Sequence, residues 1–251
     1  MPDPRPALDG PPLDRLTLTG ASLTLQGRVI LRDLTLDLTE QRIGIIGRNG
    51  SGKTSLLRLM AGLIAPSSGT VRLGSLDPFR DRKALLSRLG ILFQNPDHQI
   101  LFPTVIEELT FGLRQQGLPA DQARARALAA LTAEGRGDWC DRPCHQLSQG
   151  QRHYLCLLTV LLMEPQTILL DEPLAGLDLP TQIRLARRFA GLPQRLITIS
   201  HDPASVRSCQ RVIWLDAGTL RADGPPGPVL DAFEADMHRI GGLDADADLS
   251  G

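Results

Sequence analysis

The sequence predicts an α/β protein with a mostly parallel sheet core, and three observations support this fold class. Short apolar runs at residues 43–46 and 167–170 end at a glycine and an aspartate, as buried parallel strands do. Segments with helical spacing lie between such runs, which is the alternation of a parallel sheet. With 251 residues, of which 42% are hydrophobic, the chain can bury one large core.

The first part of the chain predicts an N-terminal antiparallel β subdomain. Residues 16–26 and 30–39 alternate apolar and polar side chains, the pattern of half-buried strands. A central strand at 42–46 then leads into a glycine-rich loop and a helix with apolar spacing at 56–63. A short strand follows at 70–73.

An α-helical subdomain is predicted to interrupt the sheet at about residues 95–160. The strand before it ends at Gln94, and the insertion contains an Ala-rich helix at 121–135. The alternation of strands and helices then resumes, with a helix from about Leu179, and residues 211–226 predict a terminal hairpin.

The domain boundaries follow from composition. Residues 1–12 are rich in proline and predict a disordered lead, and the polar residues 241–251 predict a flexible tail. We therefore expect a single domain over residues 13–240.

The composition also limits the classes of function. A net charge of −1 and an aromatic content of 4% provide neither the basic stripe nor the stacking platforms of a nucleic-acid-binding protein. The longest aliphatic run, 155–163, has nine residues, whereas a membrane span takes about 20. Cys140, Cys144 and His145 could suggest a metal site, but the spacing lacks a second ligand pair, so we interpret the thiols as incidental.

A phosphate-binding loop is the strongest motif in the sequence. "GRNGSGKT", Gly47–Thr54, fits G-x-x-x-x-G-K-[ST] and lies between a predicted strand and a predicted helix. In such loops backbone N–H groups surround the phosphate oxygens, Lys53 neutralises the β- and γ-phosphates, and Thr54 holds Mg²⁺. The motif and its context predict the fold of a P-loop NTPase.

Polar residues at the ends of three further strands complete this predicted site. Asp171 follows an apolar strand and is placed to bind Mg²⁺, and the adjacent Glu172 is placed to polarise an attacking water. His201 follows another strand, and we assign it to the γ-phosphate and the water. Gln94, also at a strand end, could reach Mg²⁺ or the same water through its amide.

A second anion-binding pattern occurs about a hundred residues after the first. In "LSQGQ", Leu147–Gln151, a Ser and a Gly stand where a loop enters a helix, and helix N-termini attract phosphate. One nucleotide needs only one such cradle.

These motifs, together with "GLD" at 176–178, stand in the order found in ABC-type ATPases, which the chain resembles from about Arg15 to Phe233. The resemblance implies head-to-tail homodimers in which each ATP lies between one chain's phosphate loop and the other chain's signature loop, Leu147–Gln151. It implies ATP and Mg²⁺ as ligands, Glu172, His201 and Gln94 as catalytic residues, and Thr54, Gln94 and Asp171 around the metal. The implied nucleotide-binding residues are Asn49, Gly50, Ser51, Gly52, Lys53, Thr54, Ser55, Ser148, Gly150, Gln151 and Asp178.

Two positions depart from the pattern of this family. Gln149 replaces the first Gly of the usual L-S-G-G-Q signature, and we expect the phosphate contact to survive because Ser148 and Gly150 remain. Where the family usually stacks an aromatic residue on adenine, the sequence has Leu25 and other aliphatic residues. The departure at Leu25 predicts looser nucleotide selectivity.

The segment from Leu92 to Leu113 resembles the ATPases of energy-coupling-factor (ECF) importers. Within that group, the short chain and the stretches "SQGQRHYLCLL" at 148–158 and "VIWLDAGTLRADGPP" at 212–226 resemble the ATPases of biotin uptake. The resemblance implies a membrane substrate-binding S component, and a transmembrane T component whose coupling helices bind this segment. The ATPase would lie peripherally on the cytoplasmic face of the inner membrane. The residues implied at the membrane partner are Asp97, His98, Gln99, Glu107 and Glu108. Thr104 and Glu107 also fit a helix capping box, an alternative structural role for Glu107.

Alternative functions remain at this stage. Close relatives of the biotin ATPases serve cobalt and nickel importers. A non-transport ABC ATPase would predict tandem domains, long coiled coils or basic patches, and a small-molecule kinase or GTPase would not need the signature loop. A purely structural nucleotide-binding subunit would not need Glu172 and His201.

Overall fold

Two sheets and the helices packed on them make up residues 13–247, the part of the chain that the computed structural model describes. The predicted disordered lead, 1–12, lies outside the described residues, as do residues 248–251. The strands are β1 (Leu16–Leu25), β2 (Arg28–Leu38), β3 (Arg42–Ile46), β4 (Ser68–Leu73), β5 (Leu89–Leu92), β6 (Thr167–Asp171), β7 (Arg195–Ser200), β8 (Arg211–Asp216) and β9 (Thr219–Gly224). The helices are α1 (Lys53–Met60), α2 (Arg82–Leu85), α3 (Val105–Gln115), α4 (Ala120–Ala133), α5 (Gln149–Leu162), α6 (Leu179–Ala190), α7 (Pro203–Val206) and α8 (Pro226–Ala247).

The smaller sheet has the strand order β2-β1-β4 and is antiparallel throughout. Leu16 of β1 pairs with Leu38 on one side and with Leu73 on the other, and all three side chains are buried. The alternation of apolar and polar residues thus places one face of this sheet in the core. The predicted N-terminal antiparallel part is confirmed.

The larger sheet has the order β5-β6-β7-β3-β8-β9, in which only β9 is antiparallel to its neighbour. Every residue of β6 is buried, as expected for a central strand covered on both faces. Because β3, β5, β6 and β7 are parallel, the residues that follow them meet at one edge of the sheet. Those residues include Gly47, Gln94, Glu172 and His201.

The inserted helices α3, α4 and α5 have a core of their own. Leu109 of α3, Ala127 of α4 and Leu155 of α5 are fully buried in this cluster. The opposite face of α5 packs on the larger sheet through Cys156 and Leu157. Helix α5 therefore joins the helical insertion to the nucleotide-binding core.

Three arginines lie along the opposite, amino-terminal edge of the larger sheet, which we call the arginine edge. Arg195, Arg42 and Arg211 are the first residues of three adjacent strands, β7, β3 and β8. Arg195 is 1% exposed, and its guanidinium donates to the carbonyls of Glu40 at 3.0 Å and Thr39 at 3.1 Å. The other two guanidiniums bind the carbonyls of Asp37, Gln41, Leu192 and Gln194 and the carboxylate of Asp223.

The last helix departs from the prediction of a tail from residue 241. Helix α8 begins at Pro226 and continues to Ala247, so residues 241–247 are helical. Its first half packs on β8, where the rings of Phe233 and Trp214 meet edge to face at 5.5 Å. Within residues 13–247 no helix combines the length and the apolar character needed to cross a membrane.

Candidate nucleotide site

The phosphate loop, Gly47–Thr54, connects β3 to α1 and requires glycine at several points. A Cβ atom on Gly47 would lie 2.2 Å from the carbonyl oxygen of Leu215, which leaves no room for a side chain. Gly52 precedes α1 with a φ of 103°, in the left-handed region that favours glycine. These glycines let the backbone curve around the N-terminus of α1.

The ammonium group of Lys53 lies inside this loop. Its Nζ donates to the carbonyls of Gly47 at 2.6 Å and Arg48 at 2.9 Å, and the residue is 7% exposed. Burial lowers the pKa of Lys53, while the charges of Glu172 and Asp171 act in the opposite direction. A cation held there is placed to bind phosphate oxygens of a nucleotide.

The first turn of α1 supplies the remaining predicted ligands of the phosphates. Thr54 is exposed and Ser55 is half-buried, and this turn contains no acidic residue that would repel an anion. Ser51 is buried, and its hydroxyl forms no hydrogen bond within residues 13–247. Asn49 lines a cleft of about 470 Å³ together with His201, so the loop and this histidine share one opening.

Asp171 fits the predicted Mg²⁺ site. The residue is 6% exposed, and its Oδ1 has no hydrogen-bond partner in the described part of the chain. Burial and the charge of Glu172 raise the pKa of Asp171, whereas Arg58 and Lys53 oppose the shift. A buried carboxylate oxygen without a partner and the exposed hydroxyl of Thr54 are hard oxygen donors of the kind that Mg²⁺ prefers. When bound, Mg²⁺ would neutralise charge on the phosphates.

Glu172 and His201 are in direct contact. The Oε1 atom of Glu172 lies 2.8 Å from Nδ1 of His201, and its Oε2 accepts a hydrogen bond from the Ser200 hydroxyl at 3.2 Å. The backbone of Glu172 has a φ of 47°, which is uncommon for a residue with a side chain, and its N–H donates to Ile199 on β7. The carboxylate is thus oriented by two residues at the end of β7 and can polarise a water.

Gln94 lies at the end of β5 and is exposed. Its side chain forms no hydrogen bond with any residue from 13 to 247, so the amide is free to reach a ligand. Its backbone carbonyl accepts a hydrogen bond from Nε2 of His153 at 3.1 Å. The structure therefore fixes the backbone of Gln94 and leaves its side chain available.

The signature loop forms the N-terminus of α5. Ser148 is the N-cap residue: its hydroxyl accepts from the Gln151 N–H at 3.3 Å, and its own N–H donates to the Gln151 side chain at 2.9 Å. A Cβ atom on Gly150 would lie 2.9 Å from Cγ2 of Thr181 on α6. These residues line a cleft of about 350 Å³, which is different from the cleft of the phosphate loop. One chain thus carries two separate clefts, one next to each of the two predicted anion-binding loops.

Gln149 of the signature loop lies next to the loop before α6, which contains Asp178. A Cβ atom on Gly176 would be 3.5 Å from Nε2 of Gln149, so the long side chain rests on the loop before α6. Asp178 is exposed and caps α6 by accepting from the Thr181 N–H at 3.1 Å. Hydrogen bonding with the side chain of Thr181, and then with its backbone, lowers the pKa of the Asp178 carboxyl. The departure at Gln149 is thereby accommodated without blocking Ser148.

Two of the residues expected at the membrane partner point inward instead. Glu108 is 3% exposed, and its Oε2 accepts from the N–H groups of Leu101 at 2.8 Å and Phe102 at 3.0 Å. Burial raises the pKa of Glu108, and these two N–H donors oppose the shift. Gln99 bonds to the backbone of β5 and the residue after it, through Ile91 O and Phe93 N. The expectation that Glu108 is a surface residue is wrong, because its carboxylate is buried and holds the loop in place, whereas the half-buried Gln99 keeps part of its side chain exposed.

The other residues expected at the membrane partner are exposed. Asp97, His98 and Glu107 face solvent, Asp97 forms an ion pair with Arg152 at 3.0 Å, and Glu107 bonds to Thr104 in the predicted capping box. Leu101 is 68% exposed, which sequence reasoning did not indicate. The contacts of Ser200 and His153 were also missed. The position of Ser200 directly before His201 was a weak signal for its contact with Glu172. The sequence contains no signal for the contacts of His153.

Comparisons with known proteins agree with this geometry. Residues 31–175 match the family model described as ABC transporter. The chain is 51% identical to the biotin transport ATP-binding protein BioM of Rhodobacter capsulatus, over 87% of this chain and 94% of that protein. It is 38% identical to BioM of Rhizobium etli, over 85% of this chain and 95% of the relative.

Solved structures share the fold. CbiO1 from Clostridium perfringens, described as part of the ABC transporter complex cbiONQ, superimposes with a TM-score of 0.75 at 29% identity. The match covers 92% of this chain and 99% of CbiO1. The dimeric cassette MJ0796 with ADP and Pi bound gives a TM-score of 0.71 at 24% identity, over 84% of this chain and 98% of the cassette, a likeness of fold alone.

Proposed function

Because this chain belongs to the ABC transporter family, we propose that it is the ATP-hydrolysing subunit of an ECF-type importer and energises the uptake of biotin. The chain is an ATPase, and its phosphate loop, Asp171, Glu172 and His201 are all present in one site. The high identity to a biotin transport ATP-binding protein, over nearly the full length of both chains, carries the assignment of the substrate.

In the proposed homodimer, each nucleotide lies between two protomers. The phosphate loop of one protomer binds ATP and Mg²⁺, and Ser148 and Gly150 of the partner subunit contact the γ-phosphate. The separation of the two clefts within one chain supports this arrangement, since the second anion-binding surface has no phosphate loop of its own. ATP then holds the dimer together, and loss of the γ-phosphate releases it.

The membrane partners bind the loop between Gln94 and α3. Asp97, His98 and Leu101 are among its exposed residues, and the buried carboxylate of Glu108 accepts hydrogen bonds from the backbone of the loop. An exposed Leu on a rigid loop suits the apolar side of a coupling helix from a T component, with a separate S component capturing the vitamin. The ATPase would be held peripherally at the cytoplasmic face of the membrane.

Uptake of labelled biotin tests this function. The gene for the chain is deleted in its source organism, and uptake of tritiated biotin is measured after complementation with the wild type or with Glu172→Gln. We expect the wild type to restore uptake and the variant to leave it at the deleted level. Cobalt and nickel uptake are measured in the same strains. Restored metal uptake without biotin uptake would assign the chain to the alternative importer.

A further inference from the structure

His153 connects the two nucleotide-binding surfaces of one chain. Its ring lies between two carbonyl groups, with Nε2 3.1 Å from Gln94 O and Nδ1 3.3 Å from Gln149 O. The residue is 1% exposed, so neither contact competes with water. Gln94 follows β5, which ends at the same edge of the larger sheet as the strand before the phosphate loop, and Gln149 belongs to the signature loop.

The two carbonyls differ in whether they accept other hydrogen bonds, and this difference indicates which of them the ring N–H binds. Gln149 O is the carbonyl of the first residue of α5 and already accepts within the helix ladder. Gln94 O, in contrast, has no hydrogen bond other than the one from His153 within residues 13–247. A carbonyl oxygen can only accept a hydrogen bond, so the ring presents an N–H to Gln94 O. That proton belongs on Nε2, where it satisfies the otherwise unpaired carbonyl.

Two neighbours on α5 reinforce this contact. Arg152 forms an ion pair with Asp97, and Cys156 packs against the carbonyl of Pro96 at 4.0 Å. Both partners lie just after Gln94 in the chain. Only His153 is fully buried and bonds to Gln94 itself, so it is the point at which a displacement of Gln94 passes directly to α5.

We propose that His153 is a positioning residue that couples the two ATP sites of the dimer, by tying Gln94 of one site to the signature loop that closes the other. The inference rests on the shared-site dimer proposed above. In that dimer Gln94 responds to the ATP of its own chain, whereas Ser148 of the same chain contacts the ATP of the partner subunit. Binding of one nucleotide therefore sets the position of the loop that receives the second.

Hydrogen–deuterium exchange on the monomer tests this coupling. The full chain is diluted until light scattering reports a monomer, and Mg²⁺ with a non-hydrolysable ATP analogue is added. Exchange is followed in peptides covering 47–55, which report binding, and 148–157, which do not touch the chain's own nucleotide. In the wild type we expect exchange at 148–157 to change about fivefold, the lower end of measured coupling between sites.

Three variants separate the roles of the ring. His153→Leu keeps the bulk and removes the donor, and we expect protection at 47–55 to persist while the response at 148–157 is lost. His153→Gln restores an N–H donor and should regain the response. Thr159→Val is the matched control, since it also removes one side-chain hydrogen bond from α5, to Leu155 O, away from Gln94.

The outcomes are distinct. An unchanged response in folded His153→Leu, or no response of 148–157 in the wild type, would overturn the coupling. Where His153→Leu does not fold, His153→Gln decides the matter, since loss of the response in a folded variant that keeps an N–H donor would overturn the role of that donor. Absence of protection at 47–55 in the wild type would instead count against the proposed function. Steady-state hydrolysis gives a second readout, in which His153→Leu lowers kcat and leaves KM for ATP unchanged.

Discussion

Glu172 is the residue on which we propose that hydrolysis depends most directly. Its carboxylate contacts Ser200 and His201 and is placed to polarise the attacking water. We predict that Glu172→Gln lowers the rate of ATP hydrolysis by at least about 100-fold, since general-base catalysis is worth roughly that much. ATP binding should persist because the phosphate loop is untouched. Phosphate release gives the rate, and light scattering detects the ATP-bound dimer that should accumulate. Near-normal phosphate release would remove Glu172 from the mechanism.

Glu108 offers a second test at the same scale. Its carboxylate is the acceptor for two backbone N–H groups of the loop that carries Leu101. We predict that Glu108→Leu lowers the free energy of unfolding by about 2–4 kcal/mol, because both N–H groups lose their acceptor. Glu108→Gln keeps an oxygen in place, and its unfolding free energy should stay within about 1 kcal/mol of the wild type. Equal stability of the Leu and Gln variants in urea unfolding would refute this role.

Sequence reasoning found Asp171, Glu172 and His201 because each follows an apolar strand, and parallel strands end at a common edge. It could not find His153. The function of that side chain depends on the distance between α5 and the end of β5, which no local pattern encodes. The prediction placed Glu108 on the surface for a related reason. Its carboxylate accepts from backbone N–H groups seven and six residues earlier, and the orientation of those donors depends on the turn between them.

Among the structural elements, the loop before α3 is the one we expect to meet the membrane partner. We predict that Leu101→Asp weakens co-purification with the membrane proteins at least about tenfold, because an exposed apolar contact is replaced by a charge. Basal ATP hydrolysis by the isolated chain should not change, since Leu101 lies outside the nucleotide site. Leu63→Asp is the control, as Leu63 is also exposed, at 47%, but lies after α1. Equal losses in both variants would mean that the contact lies elsewhere.

Most elements could be predicted because their periodicity is strong. The alternating strands of the smaller sheet and the apolar strands β3 and β6 are examples. The far end of α8 could not, because Gly241, Gly242 and the acidic residues after them are typical of a tail. In the structure, the first half of α8 packs against Trp214, and the helix continues to Ala247.

At the scale of the whole assembly, the shared sites predict complementation between two inactive chains. We mix chains carrying Lys53→Ala, which lack phosphate binding, with chains carrying Ser148→Arg, which block the signature loop. A mixed dimer places both lesions in one composite site and leaves the other intact. We expect ATP hydrolysis to return to a fraction of the wild-type rate. Fluorescence energy transfer between labelled chains controls for subunit exchange. No recovery of ATP hydrolysis despite exchange would reject the shared site.

The stability of the whole fold depends on the arginine edge of the larger sheet. We predict that Arg195→Lys lowers the free energy of unfolding by about 2–3 kcal/mol, because an ammonium group cannot replace the fork of a buried guanidinium. The thermal midpoint should fall by roughly 4–12 °C. Arg187→Lys is the control, since Arg187 is exposed. At 20 °C, where the variant is still folded, kcat should match that of the wild type. A lower kcat at that temperature would show that this edge also affects the nucleotide site.

Because the arginine edge lies at the end of the sheet opposite the nucleotide, it can be weakened without altering the chemistry, and this has a genetic consequence. Substitutions there should behave as temperature-sensitive alleles. A strain that depends on the vitamin would grow at low temperature, where enough chains stay folded, and starve at high temperature. Such alleles should also be recessive, since an unfolded chain does not enter a dimer and leaves the wild-type chains free to pair with each other.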